Sequence, residues 1–373
     1  MLFQQHHIYQ IEPQDGTKSE TPTAAGDRAA IRINAILQAA LEQKASDIHL
    51  EPQRDGLQIQ FRCDGVLEPF CKESMEMQPL ILNRLKVMAE LDSMERRLPQ
   101  DGHMAIRFQG MQYDLRVSTL PLFQGEKIVL RILGQQEQLR KLHELGFTAE
   151  NLEKVEQLLQ MPNGIVLVCG PTGSGKTTTL YSMLAALRGT GKNIVTLEDP
   201  VEYEMQGINQ VQVNERTGLT FARGLRSILR QDPDIIMVGE IRDLESAEIA
   251  IRLAYTGHRV FASLHTGDVL GAINRMVELG IAPHLLASCL NGVIAQRLVR
   301  KQENGLQQGR IAIQEVLVCN DTVRDYMSKY EQFLAHKQEI LSLYASLVDD
   351  GKQKVMQGMT TMQELKAVLG PCI

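Results

Sequence analysis

Several features that would assign the chain to a familiar class are missing from this sequence of 373 residues. Its six cysteines form no closely spaced pair of the metal-binding or redox type, which argues against a zinc ribbon or a disulfide framework. No apolar run approaches the roughly 20 residues that a membrane-spanning helix needs. The first residues show no basic segment followed by an apolar one, so no signal peptide is expected. These absences predict a cytoplasmic protein without a transmembrane segment.

A long run of lysine or arginine is also missing, and the net charge is −6. Nucleic-acid binding draws its affinity from the neutralisation of phosphates, so this balance argues against direct nucleic-acid binding. It leaves open a translocase ring, because such a ring can concentrate its basic residues in the pore.

A complete phosphate-binding loop is the most informative feature that is present. It follows an apolar run at 164–169 and precedes a stretch compatible with a helix, which is the context that this motif requires. Backbone N–H groups at a helix start wrap phosphates, Lys176 reaches the β- and γ-phosphates of ATP, and the Thr177 hydroxyl joins the Mg²⁺ shell. The predicted nucleotide-binding residues are Gly170, Pro171, Thr172, Gly173, Ser174, Gly175, Lys176, Thr177 and Thr178.

The pattern of the chain changes twice along its length. Residues 1–27 are polar and without sustained periodicity, and we expect a flexible tail. Two helical patterns among mostly antiparallel strand patterns predict a smaller α+β domain over 28–134. From 135 to 373, strands alternate with helices, which predicts an α/β domain with a largely parallel sheet and a helical C-terminal part. The apolar strands of that sheet are predicted at 165–169, 194–197, 235–238 and 260–264.

Two acids follow apolar strands of the predicted parallel sheet, where ligands bind. Glu240 takes the place of the usual Walker B aspartate and would either organise Mg²⁺ or orient the attacking water; the alternative is a surface acid that caps a strand. Glu198 is the candidate for water activation. For its neighbour Asp199, a turn cap before Pro200 is an open alternative.

Two histidines flank the strand predicted at 259–264. They lie about 23 Å apart at ~3.3 Å per residue, so they cannot share one metal ion. His265, at the carboxyl end, is the candidate γ-phosphate sensor, and His258, at the opposite end, is expected to be structural.

Arginines offer further candidates for contact with phosphate. Arg223, Arg226 and Arg230 share one face of a predicted helix, either as a solvated stripe or aimed at a neighbouring subunit's γ-phosphate. Arg116 and Arg131 lie on predicted strands of the first domain and would serve if that domain folds over the nucleotide.

Taken together, these motifs resemble the secretion ATPase superfamily that powers type II secretion and type IV pilus assembly. The resemblance runs from about Ala45 to the C-terminus. Its acidic box, Walker B and histidine box correspond to 196–203, 237–243 and 256–266, and further matching segments lie at 45–51, 61–66, 98–103 and 114–119.

This resemblance implies a RecA-like P-loop domain preceded by a smaller PAS-like α+β domain. It implies a homohexameric ring at the inner face of the cytoplasmic membrane, where ATP hydrolysis with Mg²⁺ moves an inner-membrane platform protein. It also implies that Arg116 and Arg131 swing onto the phosphates of a nucleotide bound between the domains.

The chain departs from the larger assembly ATPases in two respects. Only 301–308, without a cysteine, stands where those proteins carry a four-cysteine zinc module, so no zinc is expected. The extra N-terminal domain with which larger members dock on their membrane partner is also not seen. Retraction ATPases lack the zinc module as well, although the amino-acid sequence at 198–203 and 239–243 is closer to that of assembly members.

The sequence therefore predicts a motor ATPase that assembles a type IV pilus-like filament for secretion, pilus or DNA-uptake machinery. A retraction ATPase, a nucleic-acid translocase and a nucleotide-gated regulator with little turnover are the alternatives.

Overall fold

Two units make up the chain, Met1–Glu137 and Gln138–Ile373. The computed structural model describes residues 8–11, 25–133, 139–303, 306–371 and 373. No helix within those ranges is long and apolar enough to cross a membrane.

The first unit is a seven-stranded sheet with two helices, in the strand order β1-β5-β6-β7-β2-β3-β4. Every neighbouring pair is antiparallel except β1 and β5. Its elements are β1 (Ile8–Gln10), α1 (Ala25–Glu42), β2 (Asp47–Gln53), β3 (Gly56–Cys63), β4 (Val66–Glu73), α2 (Met77–Met88), β5 (Gln100–Phe108), β6 (Met111–Leu122) and β7 (Gly125–Leu133).

One core holds this unit together. Alternate residues of the strands, such as Ile48 and Ile59, are fully buried, as expected where one face of a sheet is covered. Ile33 and Leu37 of α1 and Ile81 of α2 pack into the same cluster.

Residues 8–11 depart from the flexible tail expected over 1–27. Ile8–Gln10 form β1, which pairs in parallel with β5, and the side chain of Ile11 is only 2% exposed. Helix α1 begins at Ala25, before the expected end of the tail. This apolar Ile-Tyr-Gln-Ile segment is too short to show a period, but the edge of the sheet supplies its backbone partners. The rest of the predicted tail, 1–7 and 12–24, lies outside the described residues.

The second unit is a seven-stranded sheet flanked by helices, in the strand order β10-β9-β11-β12-β8-β13-β14. All neighbours are parallel except the β13–β14 hairpin. This arrangement confirms the predicted α/β fold with a largely parallel sheet. Its elements are α3 (Ala149–Gln160), β8 (Gly164–Cys169), α4 (Lys176–Leu187), β9 (Ile194–Glu198), β10 (Asn209–Gln212), α5 (Phe221–Ile228), β11 (Ile235–Val238), α6 (Leu244–Tyr255), β12 (Arg259–Leu264), α7 (Val269–Glu278), α8 (Pro283–Cys289), β13 (Leu290–Glu303), β14 (Leu306–Val318), α9 (Asp321–Ser328), α10 (Tyr330–Ala335), α11 (Lys337–Leu341), α12 (Leu347–Met356) and α13 (Met362–Leu369).

The central strands of this sheet position the site. Every residue of β8, β9 and β11 is buried, because helices cover both faces. The carboxyl ends of these strands and of β12 therefore meet at one edge, where the chain leaves each strand for a loop or a helix.

Candidate active site

The phosphate-binding loop joins β8 to α4 with a fixed backbone shape. Gly173 and Gly175 have φ of 77° and 87°, a left-handed conformation that side chains rarely adopt. A Cβ on Gly170 would lie 2.3 Å from Ser174 Oγ and 2.6 Å from the carbonyl oxygen of Gln296, so only glycine fits. Of the remaining predicted loop residues, Pro171, Thr172 and Thr177 are exposed, Thr178 is half-buried and Ser174 is buried.

Lys176 folds back across this loop. Its ammonium group donates to the carbonyl oxygens of Gly170 at 2.8 Å and Pro171 at 3.0 Å, and the residue is 9% exposed. Burial lowers the pKa of Lys176, and the negative charge of Glu240 opposes that shift. The lysine and the Walker B acid therefore act on each other electrostatically.

Gln296 of β13 braces the loop from the neighbouring strand. Its Nε2 donates to the Ser174 carbonyl at 2.7 Å, and its Oε1 accepts from the Thr179 hydroxyl at 2.8 Å. The side chain is 1% exposed, so both bonds are shielded from water. The sequence gives no signal for this role, because the two partners lie more than one hundred residues away along the chain.

Glu240 lies beyond the end of β11, and its carboxylate contacts an arginine and a histidine. Its carboxylate accepts from Arg242 Nε at 2.8 Å, and its other oxygen lies 3.1 Å from His265 Nε2. Burial lowers the pKa of His265, and the charge of Lys176 lowers it further, which favours the neutral imidazole at neutral pH. The structure thus places Glu240 in contact with His265, and both residues within electrostatic reach of Lys176.

Arg242 is a residue of this cluster that sequence reasoning passed over. Besides Glu240, its guanidinium contacts Asp199 Oδ2 at 3.4 Å and lies 6.0 Å from the centre of the Phe221 ring. It therefore links the acids that follow two neighbouring strands. Its place two residues after Glu240 in the Walker B motif is the signal that would have found it.

Glu198 ends β9 and is 3% exposed. Its carboxylate accepts hydrogen bonds from the hydroxyls of Tyr181 and of Thr196, the latter at 2.6 Å, and from Gln210 Nε2 at 3.2 Å. Burial raises the pKa of Glu198 in spite of these donors. Its surroundings are thus those of a satisfied internal acceptor.

His258 lies at the opposite end of β12 from His265. Its Nδ1 lies 3.0 Å from the carbonyl oxygen of Leu253 and 3.2 Å from the hydroxyl of Thr256, so its contacts are with the preceding turn. The two histidines belong to different edges of the sheet.

The three arginines predicted to share a helix face do not form one stripe. Helix α5 ends at Ile228, so Arg230 lies beyond it, and its guanidinium donates to the Arg226 carbonyl at 2.9 Å. Arg226 pairs with Glu245 of α6. The helix stops earlier than its periodicity suggests, and the chain then turns through Asp232, which has a φ of 49°.

Arg116 and Arg131 lie in the first unit, on neighbouring strands. They are directly opposite each other in the β6–β7 pairing. Arg131 Nε donates to Asp47 Oδ1 at 2.9 Å, whereas Arg116 Nε is buried and has no hydrogen-bond partner among the residues that the structure describes. The structure therefore places the two predicted arginines side by side.

The sequence and the fold also match known proteins. The family described as Type II/IV secretion system protein matches residues 24–367. Type II secretion system ATPase E of Vibrio cholerae serotype O1 is 42% identical over 373 residues, which cover 90% of this chain and 74% of that protein. Type II secretion system protein HxcR of Pseudomonas aeruginosa is 44% identical over 358 residues, covering 90% and 76%.

Two solved structures share the fold. The Legionella pneumophila ATPase DotB has a TM-score of 0.75 at 24% identity, covering 96% of this chain and 98% of that one. The pilus retraction motor PilT with bound ADP has a TM-score of 0.65 at 29% identity, covering 89% and 95%. The fold is accordingly that of the RecA-like secretion ATPases. From its motifs, its fold and its relatives, this chain belongs to the Type II/IV secretion system protein family and is an ATPase.

Proposed function

We propose that this chain is the motor of a type II secretion system or of a closely related pilus-like machine, acting as a homohexamer at the inner face of the cytoplasmic membrane. The observation that carries the proposal is the cluster of Lys176, Glu240 and His265 at one edge of the parallel sheet. It is joined to a sequence that is 42% identical to a type II secretion ATPase over 90% of its length.

In this proposal the loop binds the phosphates of ATP and Lys176 exchanges its carbonyl partners for the β- and γ-phosphates. Magnesium fits the site because the exposed Thr177 hydroxyl and the Glu240 carboxylate supply the oxygen donors that this ion prefers. Mg²⁺ would neutralise charge on the phosphates, with Thr177 as a direct ligand and Glu240 as a ligand or through water.

His265 is proposed to sense the γ-phosphate through its contact with Glu240. When ATP is bound, the imidazole can donate to a phosphate oxygen, and loss of that oxygen after hydrolysis returns it to the carboxylate alone. Loss of the γ-phosphate would thereby change the contacts of His265, and with them the conformation of the loop that follows β12. Arg116 and Arg131 are proposed to close the first unit onto the same phosphates.

Assembly of a filament is favoured over retraction. The relatives at 42–44% identity are named as type II secretion proteins, whereas the PilT retraction motor is 29% identical. By family resemblance, the motion of the ring would act on an inner-membrane platform protein, which adds pilin-like subunits to the filament.

The test is ATP hydrolysis measured against protein concentration, with light scattering for mass, in the presence and absence of DNA. We expect specific activity to rise as a hexamer forms and to be indifferent to DNA. Activity that requires DNA would replace this function with a nucleic-acid translocase. Tight ATP binding with negligible turnover in the hexamer would indicate a nucleotide-gated regulator.

A further inference from the structure

Four charged residues form a row across the sheet of the first unit. In the strand register, Arg116 on β6 lies opposite Arg131 on β7. Arg131 lies opposite Asp47 on β2, and Asp47 lies opposite Arg62 on β3. Residues directly opposite on neighbouring strands point to the same face of a sheet. The row therefore presents three guanidinium groups and one carboxylate side by side.

Asp47 is the buried member of this row. Its side chain is 7% exposed, and its Oδ1 accepts from Arg131 Nε at 2.9 Å. Its Oδ2 accepts from the Ser46 hydroxyl at 2.8 Å and lies 3.8 Å from Arg62 Nε. A buried carboxylate is costly unless cations and donors surround it, so Asp47 and Arg131 hold each other in place.

Among the described residues, the side chain of Arg131 is anchored by Asp47 alone. Its side chain is 62% exposed although its partner is buried, and the hydrogen bond to Asp47 uses Nε. Because the guanidinium is planar, the hydrogen bond at Nε restricts the directions in which both Nη groups can point. The Nη1 and Nη2 edge that remains can bind a phosphate through two parallel N–H groups.

We infer that Asp47 is a positioning residue that orients Arg131 for a phosphate group of ATP without touching the nucleotide itself. This inference rests on the proposed function, in which Arg131 reaches the nucleotide. Arg131 then binds from a preset orientation, so less side-chain freedom is lost when phosphate arrives. The contribution of Asp47 acts wholly through Arg131.

The test is a double-mutant cycle on the full chain, with kcat and KM for ATP measured for wild type, Asp47→Ala, Arg131→Ala and the double variant. Loss of the orienting bond should lower kcat/KM by about tenfold, the factor that freezing one flexible side chain represents. Arg131→Ala should lower it at least as much. The double variant should match Arg131→Ala alone, because Asp47 has nothing left to orient.

Asp55→Asn is the matched control. Asp55 is an aspartate of the same sheet that pairs with Lys72, but its side chain is 73% exposed and it lies at the β2–β3 turn. This variant should keep kcat/KM within about twofold, as expected for an exposed ion pair. If Asp47→Ala unfolds, Asp47→Asn takes its place in the cycle, because it keeps the shape of the side chain but removes the negative charge that holds the Arg131 guanidinium.

The outcomes separate the inference from the proposed function. Wild-type kinetics in Asp47→Ala, a rise in activity, or a double variant whose loss is the product of both single losses would overturn the role of Asp47. Wild-type kinetics in Arg131→Ala would instead remove Arg131 from the site, and with it the proposed closure onto phosphate. An effect of Asp47→Ala that persists in the Arg131→Ala background would mark Asp47 as structural only.

Discussion

Glu198 and Glu240 are the same residue type at the ends of neighbouring parallel strands, yet their surroundings are opposite. Val238 is opposite Leu197 in the β9–β11 pairing, and the Gly239 N–H donates to the Leu197 carbonyl at 2.7 Å, so the two strand ends touch. Glu198 is buried among three donors that carry no charge. Glu240 is 21% exposed and contacts Arg242 and His265.

The difference shows that the role of an acid at a strand end depends on which donors surround it. The partners of Glu198 come from β9 itself, α4 and β10, so its carboxylate joins regular elements of the fold. The partners of Glu240 are side chains of loops that follow β11 and β12. A partly exposed carboxylate whose partners are loop side chains can exchange them for a metal ion or water more readily than a buried one can.

The largest effect on the rate of ATP hydrolysis is expected for Glu240→Gln. If Glu240 organises Mg²⁺ or the attacking water, hydrolysis should fall at least ~100-fold, the usual contribution of a positioned general base or metal ligand. Nucleotide binding should persist, since the phosphate loop and Lys176 are intact. Steady-state turnover and equilibrium binding of ATP measure the two quantities separately.

Glu245→Gln serves as the control for that variant. Glu245 is an exposed acid five residues further on that pairs with Arg226, so its loss should leave turnover unchanged. Wild-type turnover in Glu240→Gln would remove Glu240 from the site.

Glu198→Gln distinguishes an activating base from an internal acceptor. The sequence predicts that Glu198 activates water, in which case turnover should fall by ~100-fold or more. Its hydrogen bonds favour the acceptor role, for which we expect turnover to fall by less than about tenfold. Stability should then fall by about 1–3 kcal/mol, because the new NH₂ group faces a donor. Turnover and urea unfolding, measured on the same preparation, decide between them.

The pH dependence of stability offers a further test of Glu198. Burial raises its pKa above the ordinary value of 4.5, so the folded chain keeps a proton that the unfolded chain has released. The contribution of Glu198 to stability is therefore greatest below 4.5 and is lost as pH rises towards the folded pKa. The unfolding free energy of the wild type minus that of Glu198→Gln should fall as pH rises. A difference that grows with pH would contradict the raised pKa of Glu198.

The smallest effect among these variants is expected for Tyr181→Phe, and it concerns stability. This variant keeps the ring, which packs edge-on against Tyr203, and removes only the hydroxyl that donates to Glu198. One lost hydrogen bond to a buried carboxylate should cost about 1–3 kcal/mol of unfolding free energy. It should also raise the pKa of Glu198 further, since that bond lowers it. Thermal unfolding at two pH values measures both effects, and unchanged stability would mean that the other two donors suffice.

Much of the fold and part of the site could be predicted from the sequence because their signals are local. The phosphate loop, the alternation of strands and helices, and the acid after an apolar strand are all patterns of adjacent residues, and the α/β fold of the second unit is confirmed. Strand ends of a parallel sheet meet at one edge, which is why Lys176, Glu240 and His265 could be grouped before any coordinates.

The remaining interactions depend on pairings between distant positions, which no local pattern encodes. Gln296 contacts Thr179 across 117 residues, and Arg131 contacts Asp47 across 84. Burial also determines the role of a residue. The motif that contains Glu198 suggests an acid that faces the nucleotide, but the tyrosine and glutamine that enclose its carboxylate come from other elements. Arg230 falls outside α5 because helix ends depend on turn geometry that periodicity does not show.

The Gln296 side chain has a consequence for how the site can move. Its amide offers one donor to the Ser174 carbonyl and one acceptor to the Thr179 hydroxyl, as a peptide group of an added strand would. Gln296 thus takes the place of a backbone group and ties the loop and the start of α4 to β13. Because these two bonds hold the loop and β13 together, we expect ATP-driven movement to be larger in parts of the site that Gln296 does not contact, such as the loops after β11 and β12.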